Sequence, residues 1–364
     1  AVQRATQGLS SGADKVRAVY RLATELRYVA LEFGIEGIKP RRCALTLARG
    51  WGDCKDKATV IVTMLRELGI DAQLVLVRTQ QRGDLPKGAP PSIAAFDHAI
   101  AYVPSLDLYL DGTAEGSGST ELPAMDRGAV ALVVDPKGAR LVRLPDPGPE
   151  ASPHKRRIEL SLAADGSASF GFETTVQGVN AATWRRRYVG AGTQRDRATR
   201  DLGSFLGVVE LGKEPTALVV RDAEEIERAF GLSARGRSMS FARREGDMLS
   251  VPVATSLDLA SSLTPLSTRT LDLVVGGLSS SEEERVLRLP AGAKVVRLPD
   301  PVRLETPFGL VSLELDSAPG RVTVKSRLAL SRSRISPKDY AAFQAFCRRA
   351  DEALSQRLVV QVAP

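Results

Sequence analysis

Apolar residues recur at helical spacing in two segments near the start of the chain. Between residues 14 and 33 they recur every three or four positions, and Gly34 follows as a stop. These positions are Val16, Val19, Leu22, Leu26, Val29 and Phe33. A second stripe begins after Asp53, a suitable N-cap, and ends at Leu68 before Gly69, a suitable C-terminal cap. The pattern predicts amphipathic helices over residues 14–33 and 53–68.

Runs rich in β-branched and aromatic residues follow, at residues 74–77, 96–103 and 107–111. After residue 155 such runs dominate. Two of them, 158–162 and 168–172, flank Asp165 and Gly166, which is a strong hairpin signal. Further predicted strands are 217–220, 248–253, 271–275, 285–289, 294–298, 311–315 and 322–328. Ser336 and Asp339 then mark the start of a last helix, in which Cys347 faces the core.

Residues 144–155 contain four prolines, which cannot donate to a sheet and favour extended or turn backbone. We interpret this stretch as a linker, so that His154 is exposed. The predicted organisation is a core over 1–143, with helices on an antiparallel sheet, and a mainly β region over 156–364 that ends in a helix. The fold class is α+β.

Composition excludes several classes of function. The 364 residues include 50 Lys and Arg against 43 Asp and Glu, a formal charge of +7. These charges are scattered and aromatics make up only 5%, so we expect no nucleic-acid partner. No apolar run approaches the roughly 18 residues of a membrane span. Because the sequence does not start with Met, we expect a processed or excised piece.

The chain has three cysteines without a CxxC pair and only two histidines, His98 and His154. This set has no metal-ligand spacing and no disulfide framework, so we expect neither a metal nor another cofactor. Cys43 lies eleven residues before Cys54. We expect it to fill core space rather than to form a disulfide.

Cys54 is the candidate nucleophile. It lies in the first turn of the second predicted helix, within Gly52-Asp53-Cys54-Lys55-Asp56. Unpaired backbone N–H groups, the helix dipole and Lys55 favour a thiolate there, which acyl transfer needs. The two aspartates oppose it, unless Asp53 turns back to cap the helix. The alternative is that Cys54 is a small buried hydrophobe.

A nucleophilic cysteine needs a base, and His98 lies in the predicted strand 96–103. If the following turn is centred between Pro104 and Ser105, Val103 pairs with Leu106. The same register places His98 opposite Asp111. Cys54, His98 and Asp111 would then form a catalytic triad in which Cys54 attacks, His98 shuttles protons and Asp111 orients the imidazole.

Three motifs together resemble those of bacterial transglutaminase-like proteins: residues 49–58 (RGWGDCKDKA), 96–99 (FDHA) and 110–114 (LDGTA). The likeness covers residues 14–140 and is closest to the subgroup with a GDCKD cysteine motif, which usually carries a β-rich N-terminal domain of unknown function. It implies a papain-like core in which a helix presents Cys54 to a sheet that carries His98 and Asp111. Gly112 stands where the family often has proline.

An oxyanion hole is also required, and the backbone N–H of Cys54 is the natural first donor. Trp51 could supply its indole N–H or form a wall of the acyl pocket, or it could be a packed aromatic. Tyr28 is a further candidate.

These residues support two hypotheses on function. The first is thiol-dependent acyl transfer on a peptide or protein amide, as a peptidase, amidase or transglutaminase with a thioester intermediate. The second is a catalytically inactive scaffold or binding module with partners in a bacterial envelope assembly. The resemblance implies export to the periplasm or envelope of a Gram-negative bacterium.

Overall fold

The chain divides into two compact units, Ala1–Pro147 and Gly148–Pro364. In this computed structural model the described residues are 1–31, 34–86, 88, 90–135 and 137–363. The division falls within the predicted linker. The α+β class is confirmed, because both units combine helices with sheets.

The first unit packs helices on a five-stranded antiparallel sheet. Its helices are α1 (Val2–Ala5), α2 (Gly12–Glu25), α3 (Cys43–Arg49) and α4 (Cys54–Glu67). Its strands are β1 (Arg27–Tyr28), β2 (Trp51–Gly52), β3 (Gln73–Arg78), β4 (His98–Val103), β5 (Leu108–Leu110), β6 (Val130–Val134) and β7 (Arg140–Arg143). The sheet has the order β5-β4-β3-β6-β7, and β1 pairs separately with β2 in parallel.

Helix α2 is shorter than predicted. It ends at Glu25, because Leu26 is extended and the next two residues pair with β2. The Leu26 carbonyl accepts a hydrogen bond of 2.8 Å from the buried Lys57 ammonium of α4. The prediction of helix to Phe33 is therefore wrong, and Phe33 itself lies outside the described residues.

Helix α4 follows its prediction. The Asp53 side chain accepts a hydrogen bond from the Asp56 backbone N–H, and Gly69 follows the end with a φ of 75°. Its side chains Cys54 and Ala58 pack against Ala99 of β4. The opposite face of the sheet buries a separate cluster that includes Val75, Val77, Ile100 and Tyr102. The cysteine therefore lies between a helix and one defined face of a sheet.

The second unit is dominated by strands. Its strands are β8 (Pro153–Leu162), β9 (Ala168–Val176), β10 (Val209–Leu211), β11 (Leu218–Arg221), β12 (Phe230–Ser238), β13 (Arg243–Glu245), β14 (Met248–Pro252), β15 (Leu273–Val274), β16 (Ser280–Arg288), β17 (Lys294–Arg297), β18 (Val302–Thr306), β19 (Gly309–Ala318), β20 (Arg321–Leu330), β21 (Arg334–Ile335) and β22 (Arg357–Gln361). Its helices are α5 (Ala181–Tyr188), α6 (Gln194–Leu206), α7 (Leu259–Leu263) and α8 (Tyr340–Leu354).

The large sheet runs in the order β10-β12-β9-β8-β16-β20-β19-β18, with β11 also paired to β12. A second sheet has the order β13-β14-β22-β17. The predicted hairpin is confirmed, since β8 pairs with β9 across Asp165 and Gly166. The last helix begins at Tyr340 rather than near Ser336, and Cys347 is fully buried in the core as predicted.

His154 does not lie in an exposed linker. It belongs to β8, and its ring packs edge-on against Trp184 at 5.4 Å. Burial and the neighbouring Arg156 lower the pKa of His154 to about 3. The prediction of exposure is wrong because the strand starts at Pro153, inside the proline-rich stretch.

Among the described residues, no helix has both the length and the hydropathy that crossing a bilayer requires.

A buried charge cluster lies on the large sheet. Glu283 is 2.7 Å from Arg285 and 3.2 Å from Arg156, and Thr255 donates to it at 2.6 Å. Burial favours the neutral acid, but the two arginines hold the pKa of Glu283 below its ordinary value.

We expect Glu283→Gln to destabilise the protein by about 3–5 kcal/mol, because it leaves two poorly solvated guanidinium groups without their counter-charge. Thermal or urea unfolding measures the loss. Glu305→Gln is the control, since Glu305 pairs with Arg303 on an exposed surface and should change stability by no more than about 0.5 kcal/mol. Equal losses in the two variants would contradict this prediction.

Candidate active site

Cys54 is the first residue of α4, directly after the N-cap. Asp53 and Asp56 form a reciprocal capping box, in which each side chain accepts from the other's backbone N–H at 3.1 and 3.4 Å. Gly52 precedes the cap because a Cβ there would come within 2.7 Å of the Asp56 Cβ. The glycine and the two aspartates of the motif thus serve to place Cys54 at the positive end of the helix.

The charge of Asp56 is compensated by arginines. Arg41 donates from its backbone N–H at 2.7 Å and from its guanidinium at 3.2 Å, and Arg49 donates at 3.0 Å. The Asp53 carboxylate is in contact with the Lys55 ammonium. Neither aspartate therefore presents an uncompensated negative charge beside Cys54.

The hairpin of β4 and β5 brings His98 and Asp111 together, although not in the predicted register. Val103 lies opposite Leu108, not Leu106, so the predicted pairing is wrong by two residues. The turn takes four residues because 104–106 form a short 3-10 helix and Asp107 adopts a left-handed φ of 46°. A shift of two keeps every side chain on its own face. Nε2 of His98 lies 3.2 Å from Oδ2 of Asp111.

Asp111 is fixed by the residues that follow it. Its Oδ1 accepts hydrogen bonds from the backbone N–H and the hydroxyl of Thr113, at 2.8 and 2.7 Å. Gly112 packs closely on α4, since a Cβ there would lie 3.2 Å from both Ile61 and Lys57. Oδ2 is therefore the oxygen of Asp111 that faces His98. The close packing of Gly112 holds the turn without the proline that relatives often have at this position.

Asp126 is a third buried group that the sequence analysis missed. One ligand atom each from His98, Asp111 and Asp126 lies within 4.8 Å of the others. Asp126 is fully buried, and neither of its carboxyl oxygens accepts a hydrogen bond from a donor among the described residues. No strand or helix contains it, so no periodic pattern pointed to it. Its position beside the histidine became visible only with the fold.

Burial and the charge of Asp111 raise the pKa of Asp126 well above its ordinary value. Two ionised carboxylates offer each other no donor, so their contact is satisfied when Asp126 keeps its proton. The same three residues could supply one nitrogen and two oxygens to a divalent cation. Such a cation would coordinate Nε2 of His98, the nitrogen that faces Asp111. If Asp126 carries a proton instead, Nε2 still faces the Asp111 carboxylate.

The environment of His98 favours the imidazolium. Burial by itself lowers its pKa, but contacts with Asp111 and Cys54 and the charge of Asp111 raise the pKa of His98 to about 11. A histidine in this state can donate a proton to a leaving group and can stabilise a neighbouring thiolate.

Cys54 and His98 line a common cavity of about 270 Å³, together with Lys55, Leu76 and residues 37–38, 93–94, 96–97 and 99. Trp51 and Tyr28 are not among its described lining residues. Trp51 stacks under the Arg49 guanidinium at 3.6 Å, and Tyr28 is 44% exposed in the strand that pairs with β2. The structure brings together Cys54, His98 and Asp111 and leaves the other two candidates at the β1–β2 pair.

All three cysteines are free. Burial raises the pKa of Cys43, and it raises the pKa of Cys347 to about 12. Cys54 alone is in contact with a histidine among the described residues.

Two segments of the chain match known protein families. Residues 1–107 match the transglutaminase-like superfamily, which confirms the resemblance seen in the sequence; the match ends before Asp111. Residues 247–360 match DUF3858, a domain of unknown function with a solved structure. No curated protein matches the chain.

A crystal structure from Parabacteroides distasonis ATCC 8503, described as that of a "putative protease", has a similar fold, with a TM-score of 0.58 and 14% identity. The alignment covers 99% of this chain and 54% of that protein, so the chain spans about half the length of that relative.

We expect Asp126→Asn to stabilise the protein at neutral pH. Because the folded pKa of Asp126 is raised, stability is lost as pH rises from the unfolded value of about 4 toward the folded one. Asparagine has the same shape and cannot ionise, so the gain should grow by about 1.4 kcal/mol for each pH unit in that window. Urea unfolding at several pH values between 3.5 and 7 measures it.

The control is Asp84→Asn, which changes an exposed carboxylate paired with Arg143. It should show no gain that grows with pH. A constant difference between Asp126→Asn and wild type across the pH range would contradict a retained proton on Asp126.

Proposed function

We propose that the chain catalyses thiol-dependent acyl transfer on peptide or protein amides, as a peptidase, amidase or transglutaminase. The observation that carries the proposal is the cavity shared by Cys54 and His98, with Asp111 behind the histidine at 3.2 Å. The superfamily match over residues 1–107 supports the same class of chemistry.

In this mechanism the Cys54 thiolate, paired with the His98 imidazolium, attacks the amide carbon. The carbonyl electrons move to oxygen, and the Cys54 backbone N–H at the start of α4 is placed to stabilise that oxyanion. The C–N bond breaks as His98 gives its proton to the departing nitrogen, which leaves a thioester on Cys54.

Water or an amine then attacks the thioester, and His98 takes a proton from it as the thiolate leaves. Asp111 stabilises the imidazolium and fixes the ring in both halves of the cycle. Hydrolysis and transamidation differ only in the second nucleophile, so both use the same three side chains.

The test is the rate of iodoacetamide alkylation at each cysteine as a function of pH, located by mass spectrometry. We expect Cys54 to react at least about tenfold faster than Cys43 at pH 6–7, where an ordinary thiol of pKa about 8.5 is mostly protonated. His98→Ala should remove this advantage, because the thiolate loses its counter-charge.

His154→Gln is the matched control, since it changes the only other histidine, which lies in the second unit. It should leave Cys54 reactivity unchanged. Equal labelling of Cys54 and Cys43, or full reactivity in His98→Ala, would contradict the enzyme and favour an inactive scaffold.

A further inference from the structure

A second, larger cavity of about 870 Å³ adjoins the one that holds Cys54 and His98. Leu76, Ile93, Ala94 and Phe96 line both cavities, so the two lie directly side by side. We call the larger one the apolar groove, because most of its lining is apolar. Its volume is in the range of sites that bind ligands larger than one side chain.

The floor of the apolar groove is a row of side chains across neighbouring strands. Leu76 lies opposite Ala99 on one side and Leu132 on the other, and Leu132 lies opposite Leu141. Directly opposed residues share a face, so this row continues the face on which Cys54 packs. Leu141 at its end is 60% exposed. The row leads from the cysteine across the sheet.

The wall of the groove is tied to the sheet by Arg78. Its guanidinium donates to three backbone carbonyls, those of Gly83, Ala95 and Arg82, at 2.9, 2.8 and 2.7 Å. The charge of Arg78 is therefore used to hold the wall. Ile93, which lies in that wall, is nevertheless 54% exposed. The groove presents preformed apolar surface to an incoming chain.

We propose that the apolar groove binds bulky apolar side chains of a peptide substrate, next to the amide that Cys54 attacks. The inference rests on the proposed function and adds the substrate class to it. Leucine-like or aromatic side chains would cover the exposed parts of Leu141 and Ile93, whereas acidic side chains would lose water against a lining that is mostly apolar. The groove shares four lining residues with the cysteine cavity, and this closeness favours a substrate segment over an unrelated partner.

The test uses two peptidyl chloromethyl ketones, Ac-Leu-Leu-Gly and Ac-Asp-Asp-Gly, which differ only in the side chains offered to the groove. In each, the Cys54 thiolate displaces chloride and forms a thioether, and mass spectrometry gives the second-order rate constant. We expect the Leu-Leu reagent to react at least about tenfold faster. Iodoacetamide, which has no such side chains, measures the reactivity of the thiol itself.

Leu132→Asp should reduce the preference at least about tenfold and leave the iodoacetamide rate unchanged, because it places a charge in the floor of the groove. Leu141→Asp is a second variant, at a position exposed enough to tolerate the change. Val134→Asp is the matched control, since Val134 is exposed on the same strand and does not line the groove.

Equal rates for the two peptidyl reagents, with iodoacetamide still fast, would overturn the proposal, because the groove would then make no contribution to substrate choice. A preference that persists in Leu132→Asp and Leu141→Asp would overturn it as well. Slow reaction of all three reagents would overturn the proposed function, and the substrate class with it.

Discussion

The first unit depends on the buried carboxylate of Asp56. It accepts hydrogen bonds from the Arg41 backbone, from two guanidinium groups and from the backbone N–H of Asp53. These contacts join the segment before α3, the last turn of α3 and the start of α4 at a single point. Because a fully buried carboxylate without such donors would be very costly, its donors and the start of α4 are fixed together. The position of Cys54 is a consequence of that requirement.

The candidate site concentrates negative charge where water is excluded. Asp111 and Asp126 lie close to His98, and all three are buried. A cationic imidazolium and a proton on Asp126 together leave one negative charge opposite one positive charge. The buried cluster is then neutral, which is the state that a low-dielectric site tolerates best. The same electrostatic balance keeps His98 protonated and ready to serve as an acid.

Local patterns predicted the parts of the fold whose stabilising contacts are local. Helix α4, the β8–β9 hairpin and the core position of Cys347 follow from spacing, capping and turn residues. Strand β12 was missed because Gly231, Arg235 and Gly236 weaken its pattern, although its pairing with β9 is regular throughout. The end of α2 and the contact of Asp126 with His98 depend on residues distant in sequence. A prediction from a short segment of the sequence cannot include them.

The closeness of His98 and Asp111 was anticipated from a register that the structure does not have. The prediction that the two residues are close still holds, because a shift of two residues along a strand leaves Asp111 on the same face of the sheet. From there its carboxylate reaches His98 as a diagonal neighbour. An error of one residue would have put Asp111 on the opposite face, away from the imidazole.

The apolar groove has its origin in the widths of a helix and a sheet. Helix α4 packs mainly on β4, at one side of a five-stranded sheet, and one helix is about 10 Å wide while each strand adds about 4.8 Å. The face of β3, β6 and β7 therefore extends beyond the helix. Its side chains there are leucines, which are typical of a sheet face that is covered by another layer. Since the helix that leaves this face open also begins at the nucleophile, the uncovered apolar row starts beside Cys54. The uncovered part of the sheet thus supplies the floor of the groove, and the segment held by Arg78 supplies its wall.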